Sequence, residues 1–205
     1  MTAVAEEQTL RLIWPKQGID IDLDGLQGLW SEQQYLRLSG QTNNYLEFTD
    51  GVIEALPMPT RYHQAIIAFL YELIVALVRP RGGKVFFSPL RLQIRPGKYR
   101  EPDLLVLLDA RDPRNQNAFW LGADLVMEVV SADNPERDLV TKRADYAEAG
   151  IPEYWIVNPI DQRATVLTLI DGAYQEHGSF GRGEQASSRL ISGLSIDVDQ
   201  IFDAE

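Results

Sequence analysis

Three residues carry most of the chemistry this sequence can offer. Asp103 follows Pro102 and stands immediately before the apolar run Leu104–Leu108. Glu128 lies inside Val126-Met127-Glu128-Val129-Val130. A carboxylate in such a strand is costly to bury unless it is paired or holds a metal. Strand alternation puts Glu128 on the face of Val126 and Val130, so it is not simply on a wetted side. Two such carboxylates on adjacent strands would make an oxygen-rich site suited to Mg²⁺ or Mn²⁺. The plainer reading pairs each with a nearby arginine at a strand end. The third residue is Lys142. On an α-helix, Leu139, Tyr146 and Gly150 would mark the inward face, with Lys142 and Arg143 on its flanks. Asp138 and Asp145 stand four and three residues away, close enough for ion pairs. Lys142 is therefore either a helix-surface salt bridge or, if the helix packs beside Glu128, a cation in the same site.

The elements that must position these residues follow from turn signals and periodicity. Ser31 opens a short helix, Glu32–Leu38, which Gly40 closes. Asp50-Gly51 between Tyr45–Thr49 and Val52–Leu56 predicts a hairpin. His63–Val78 has helical apolar spacing and ends at Pro80 and Gly82-Gly83. Lys84–Phe87, Arg91–Arg95, Leu104–Leu108 and Ala123–Val130 read as strands, the last two short and apolar enough to be buried. Glu136–Ala149 is a helix stopped by Gly150 and Pro152. Tyr154–Val157 and Thr165–Leu169 follow as strands, with Tyr154 and Trp155 in the core. Asp171-Gly172 makes a second hairpin toward Tyr174, and the remainder is short strands and a loose tail. The order predicts an α+β fold with a mixed central sheet. Residues 1–30 read as an N-terminal extension and 31–205 as a single domain.

Composition narrows the chemistry. The 205 residues are 45% hydrophobic, enough for a sizeable core and too apolar for a disordered chain. The absence of cysteine excludes disulfides, thiolate metal sites and cysteine nucleophiles, and fits a reducing cytoplasm. The run Ala65–Val78, interrupted by Glu72, is shorter than the ~20 residues of a bilayer span, so a buried helix is expected and no membrane association. Met1–Arg11 lacks the apolar stretch of a secretory signal. The net charge of −11 argues against non-specific binding to nucleic acid. A local basic patch, a partner or a dimer cleft would be needed to grip it. Arg95, Lys98 and Arg100 could form such a patch near Asp103, or could simply be a solvated loop.

Several segments together resemble a known family. They are Glu101-Pro102-Asp103-Leu104, Leu125 to Ser131, Arg137 to Lys142, and Tyr146 to Val157 with its Ala-Gly-Ile-Pro-Glu-Tyr-Trp core. Tyr45-Leu46-Glu47-Phe48, Asp50-Gly51 and His63 at the opening of the next helix also fit. Over roughly residues 30 to 200 the chain resembles the bacterial putative restriction endonuclease family, a branch of the PD-(D/E)XK nuclease superfamily. The resemblance implies a restriction endonuclease-like core. It also implies a Mg²⁺-dependent endonuclease acting on DNA, with Mn²⁺ as a possible substitute. Pro102-Asp103 matches the "PD", making Asp103 a metal ligand. Glu128 matches the acidic member of "(D/E)XK", making it the second ligand, with the Val129 carbonyl as a third. The triplet departs from the pattern at Val130, where a lysine is expected, and Lys142 is the matching substitute. Glu47 matches an acidic residue that the superfamily often adds. His63 is either functional or a capping and packing residue.

Two other readings compete. One is a nuclease fold kept as a binding or regulatory module, favoured by Val130 and the acidic balance. The other is a metal-free hydrolase using Asp103 and Glu128 as an acid/base pair, as glycosidases do.

Overall fold

The computed structural model describes residues 10–14, 19–42 and 44–205. In chain order the elements are β1 (Arg11–Trp14), β2 (Ile19–Asp22), α1 (Glu32–Ser39), β3 (Leu46–Thr49), β4 (Val52–Ala55), α2 (Arg61–Val78), β5 (Lys84–Phe87), β6 (Leu92–Arg95), β7 (Lys98–Arg100), β8 (Leu104–Leu107), β9 (Leu125–Val129), α3 (Lys142–Glu148), β10 (Glu153–Asn158), β11 (Arg163–Ile170), β12 (Ala173–Phe180), β13 (Gln185–Ser187), β14 (Ser195–Asp197) and α4 (Val198–Phe202). They fall into two compact units, Met1–Met58 with Pro96–Arg100, and Pro59–Arg95 with Glu101–Glu205.

In the first unit, β1 and β2 pair antiparallel. Ser31 caps α1 through a reciprocal box with Gln34, as its position before the helix predicts. The β3–β4 hairpin turns on Asp50 and Gly51, both at positive φ (46° and 91°). A Cβ on Gly51 would sit 2.5 Å from the Gly28 carbonyl oxygen, so glycine is required there. Tyr35 of α1 stacks on Phe48 of β3 at 4.9 Å and donates its hydroxyl to the Leu46 carbonyl. Lys98–Arg100, open to reading as a basic patch or a solvated loop, forms β7 and pairs with β3.

The second unit is built on a six-stranded sheet in the order β12-β11-β10-β9-β8-β5. Neighbours are antiparallel except β9 and β10. A parallel pair needs a crossover, and α3 supplies it. Every residue of β8 and β9 is buried because both faces are covered. Leu104, Val106, Leu125 and Met127 pack with α2, while Leu105, Leu107 and Val126 pack with Tyr146 and Tyr154 on the opposite face. Thr60 caps α2, which buries Ile66, Ile67, Leu70, Ile74 and Val78, each contributing ~1.5–3 kcal/mol. By length and composition Arg61–Arg81 could cross a bilayer. That apolar stripe instead lies in the core with the sheet. The α+β class with a central mixed sheet between helices agrees with the sequence reading.

Two sequence expectations fail here. The tail is not loose: α4 buries Val198, Ile201 and Phe202 in the α2 core, and Tyr62 donates to the Phe202 carbonyl at 2.8 Å. Nor is Glu136–Ala149 one α-helix. Arg137–Thr141 is a π-turn, with the Lys142 N–H bonded to the Arg137 carbonyl, and α3 proper starts at Lys142. The wider turn rotates the faces that an α-helical period assigns. Leu139, expected inward, is 37% exposed, and Asp138 is buried.

Candidate active site

The candidate site forms where β8 begins and β9 ends, antiparallel neighbours in the sheet. Asp103 is fixed by the main chain of the adjacent strand: its Oδ2 accepts the Val129 N–H at 2.8 Å. Its own N–H points at Glu128 Oε2, 3.4 Å away. Glu128 is 1% exposed. The crossover helix serves both of its carboxylate oxygens. Lys142 Nζ lies 2.8 Å from Oε2, and the Tyr146 hydroxyl, one turn later, donates to Oε1. Lys142 also reaches Asp138 Oδ1 at 3.0 Å. Its side chain is 6% exposed, so the surface salt-bridge reading of Lys142 fails. Val130 packs in the apolar cluster with Val126 and Tyr154. Lys142 reaches Glu128 from the crossover helix, not from the strand position that Val130 fills.

His63, in the first turn of α2, comes to the same place from the other side of the sheet. Its Nε2 lies 2.9 Å from the Val129 carbonyl oxygen and 3.3 Å from Asp103 Oδ2. Nε2 must carry a hydrogen to donate to that carbonyl. Nδ1 is buried without a hydrogen-bond partner among the described residues.

The electrostatics follow from burial. Desolvation pushes the Glu128 carboxyl well above its ordinary value; Lys142 opposes this, while Asp103 and Asp138 add to it. Burial pulls the His63 imidazole down, but the Asp103 carboxylate and the Val129 carbonyl outweigh it and hold the group above its ordinary value. The Tyr154 hydroxyl is driven up by burial and by the Glu128 and Asp138 charges, and it donates to the Asp138 carbonyl at 2.9 Å. Three carboxylates, Asp103, Glu128 and Asp138, thus meet one lysine and one histidine.

Asp103, Glu128, Lys142, His63 and the Val129 carbonyl are brought together. Glu47 belongs to the first unit, where it is fully buried and lies 3.3 Å from Arg100 Nε. Arg100 also donates to Phe48 O and Thr49 Oγ1, and Arg95 pairs with Glu148 at 2.7 Å. Arg100 and Arg95 thus each have an acidic partner within their own unit. Sequence reasoning places Tyr146 on the inward face of its helix and gives it no chemical role. The available signal was a tyrosine four residues after Lys142, whose buried hydroxyl needs a partner.

The donors suit a hard divalent cation. Two carboxylates and a main-chain carbonyl are all oxygen, and Mg²⁺ characteristically uses one or two carboxylates and completes its shell with water and phosphate. The excess of acidic over basic groups points the same way. Among the described residues, no three His, Asp or Glu side chains form a ready-made metal cage.

The family model Uma2, described as putative restriction endonuclease, matches residues 32–199. No curated protein matches the chain. Among solved structures, the chain is similar to a putative nuclease belonging to DUF820 from Anabaena variabilis ATCC 29413. The two are 22% identical, with 82% of this chain and 96% of that one covered, at a TM-score of 0.67. That likeness establishes the fold, restriction endonuclease-like, and the family match covers most of the chain. The chain belongs to the Uma2 family of putative restriction endonucleases.

Proposed function

We propose that this protein is a metal-dependent endonuclease that hydrolyses phosphodiester bonds, with DNA as substrate. The observation that carries this reading is the buried Lys142 ammonium, 2.8 Å from Glu128 Oε2, beside Asp103 on the adjoining strand. Asp103, Glu128 and the Val129 carbonyl would hold Mg²⁺ or Mn²⁺. A divalent ion there would supply Lewis-acid polarisation of the phosphate. Lys142, desolvated and preorganised, donates to a phosphate oxygen as charge develops on it. Tyr146 fixes the rotamer of Glu128. His63 fixes the Asp103 carboxylate and the Val129 carbonyl from the opposite side. A chain with a net charge of −11 needs a basic groove, a partner or a homodimer cleft to grip DNA.

A second reading, a nuclease fold retained for binding or regulation, is favoured by the committed state of Glu128, both of whose oxygens already have partners. Supercoiled plasmid and single-stranded DNA, incubated with wild type or Asp103→Ala in Mg²⁺, Mn²⁺ or EDTA, separate the readings. Cleavage by wild type alone, abolished by EDTA, supports the nuclease. Cleavage that survives EDTA supports metal-free acid/base chemistry, and no cleavage supports the binding module.

A further inference from the structure

Lys142 has two buried carboxylate partners where a structural ion pair would have one. Its Nζ lies 2.8 Å from Glu128 Oε2 and 3.0 Å from Asp138 Oδ1. All three side chains are nearly closed to solvent, at 6%, 1% and 6% exposure. A second buried carboxylate is an expense that apolar packing would avoid, so its presence calls for a function. The backbone is specially shaped to provide it. The π-turn at Arg137–Thr141 turns Asp138 inward and Leu139 outward, and Tyr154 anchors the Asp138 carbonyl at 2.9 Å. Such turns inside helices frequently mark functional positions.

We propose that Lys142 is a shared lysine and that Asp138 is its second seat, a positioning residue that keeps the ammonium in the site when Glu128 turns to a divalent cation. This deepens the endonuclease reading and rests on it. With Glu128 as the sole partner, lysine and metal ion would compete for one carboxylate, and loading the ion would release the lysine. With Asp138 in place, the ammonium exchanges one carboxylate for another across a short distance and stays aimed at the phosphate. An ammonium has three donors, so it can hold both carboxylates before the ion arrives and one of them afterwards.

The test combines Mn²⁺ binding, measured by titration calorimetry, with the ammonium signals of ¹⁵N-lysine-labelled protein. The lysines are Lys16, Lys84, Lys98 and Lys142, so assignment is tractable. Asp138→Asn should weaken Mn²⁺ binding about tenfold, within the ~10–100-fold range of groups that support metal ligands. Lys142→Met should tighten it by removing the competitor. In the Lys142→Met background Asp138→Asn should cost less than about threefold, because the effect runs through the lysine. The Lys142 ammonium signal should survive saturating Mg²⁺ in wild type and in Asp138→Glu, and vanish into exchange with water in Asp138→Asn. Equal losses of Mn²⁺ affinity in both backgrounds would make Asp138 a ligand or a bulk charge and overturn the proposal. So would an unchanged affinity, or an ammonium signal that persists in Asp138→Asn with Mg²⁺. If Asp138→Asn does not fold, loss of the signal in Mg²⁺-loaded Asp138→Glu overturns it. Wild type that binds no Mn²⁺ sinks the metal-dependent reading itself, and the shared-lysine role with it.

Discussion

Glu153 and Glu128 sit on the neighbouring parallel strands β10 and β9, and both are buried, yet the protein treats them in opposite ways. Glu153 accepts from Trp155 Nε1 at 2.7 Å, Ser188 Oγ at 2.6 Å, and the N–H groups of Arg189 and Leu190 at 2.8 Å each. Four neutral donors occupy the carboxylate and staple the C-terminal segment to the sheet. Glu128 receives a lysine, a tyrosine and the neighbourhood of two more carboxylates. Neutral donors arranged around a whole carboxylate make an anchor. Cations and anions left unequal around one make a site whose balance a ligand can change.

The comparison breaks most visibly at the site. Asp103→Ala and Glu128→Gln should each lower cleavage at least ~10³-fold, about 4 kcal/mol at 1.36 kcal/mol per decade. Glu128→Gln keeps shape and leaves Lys142 its Asp138 partner, so its unfolding free energy should stay within ~1.5 kcal/mol of wild type by urea titration. A larger drop would make Glu128 an anchor like Glu153. Glu153→Gln should do the reverse. An amide nitrogen cannot accept from the two main-chain donors, so stability should fall by ~2–4 kcal/mol, with activity per folded molecule retained. Next, Lys142→Met should reduce turnover ~10²–10³-fold, the cost of a lost transition-state donor, as single-turnover rates would show. The smallest effect belongs to an ion pair outside both regions. Arg114 donates to the Asp112 carboxylate from its side chain and main chain, holding it below the ordinary carboxylate value. Such a group contributes stability above its unfolded pKa and loses it as pH falls through the folded one. Asp112→Asn should therefore cost up to ~1 kcal/mol at neutral pH, and the gap from wild type should close in acid.

Much of this was legible in the residues. Turn chemistry placed both hairpins, at Asp50-Gly51 and Asp171-Gly172, and capping placed α1. The apolar runs around Asp103 and Glu128 foretold buried strands, and the family resemblance implied their adjacency. What escaped did so for identifiable reasons. An inserted π-turn leaves no mark on an apolar pattern read at 3.6 residues per turn, so the period puts Leu139 on the wrong face. Lys98–Arg100 carries two cations in three residues, and only pairing with β3 makes it a strand. Val198–Phe202 is too short to declare itself without the α2 surface it covers. Tyr146 looked like packing because hydroxyl partners lie beyond local sequence.

The last helix has a consequence in time. Every side chain of the candidate site, from His63 to Tyr146, is made well before Phe202, whose carbonyl closes on Tyr62 across 140 residues of sequence. At ~5–20 residues per second, a ribosome needs several seconds to pass from Tyr146 to Phe202. During that interval α2 lacks the α4 side chains that complete its core. A nascent chain therefore holds every side chain of the candidate site before the segment that completes the α2 core has been made.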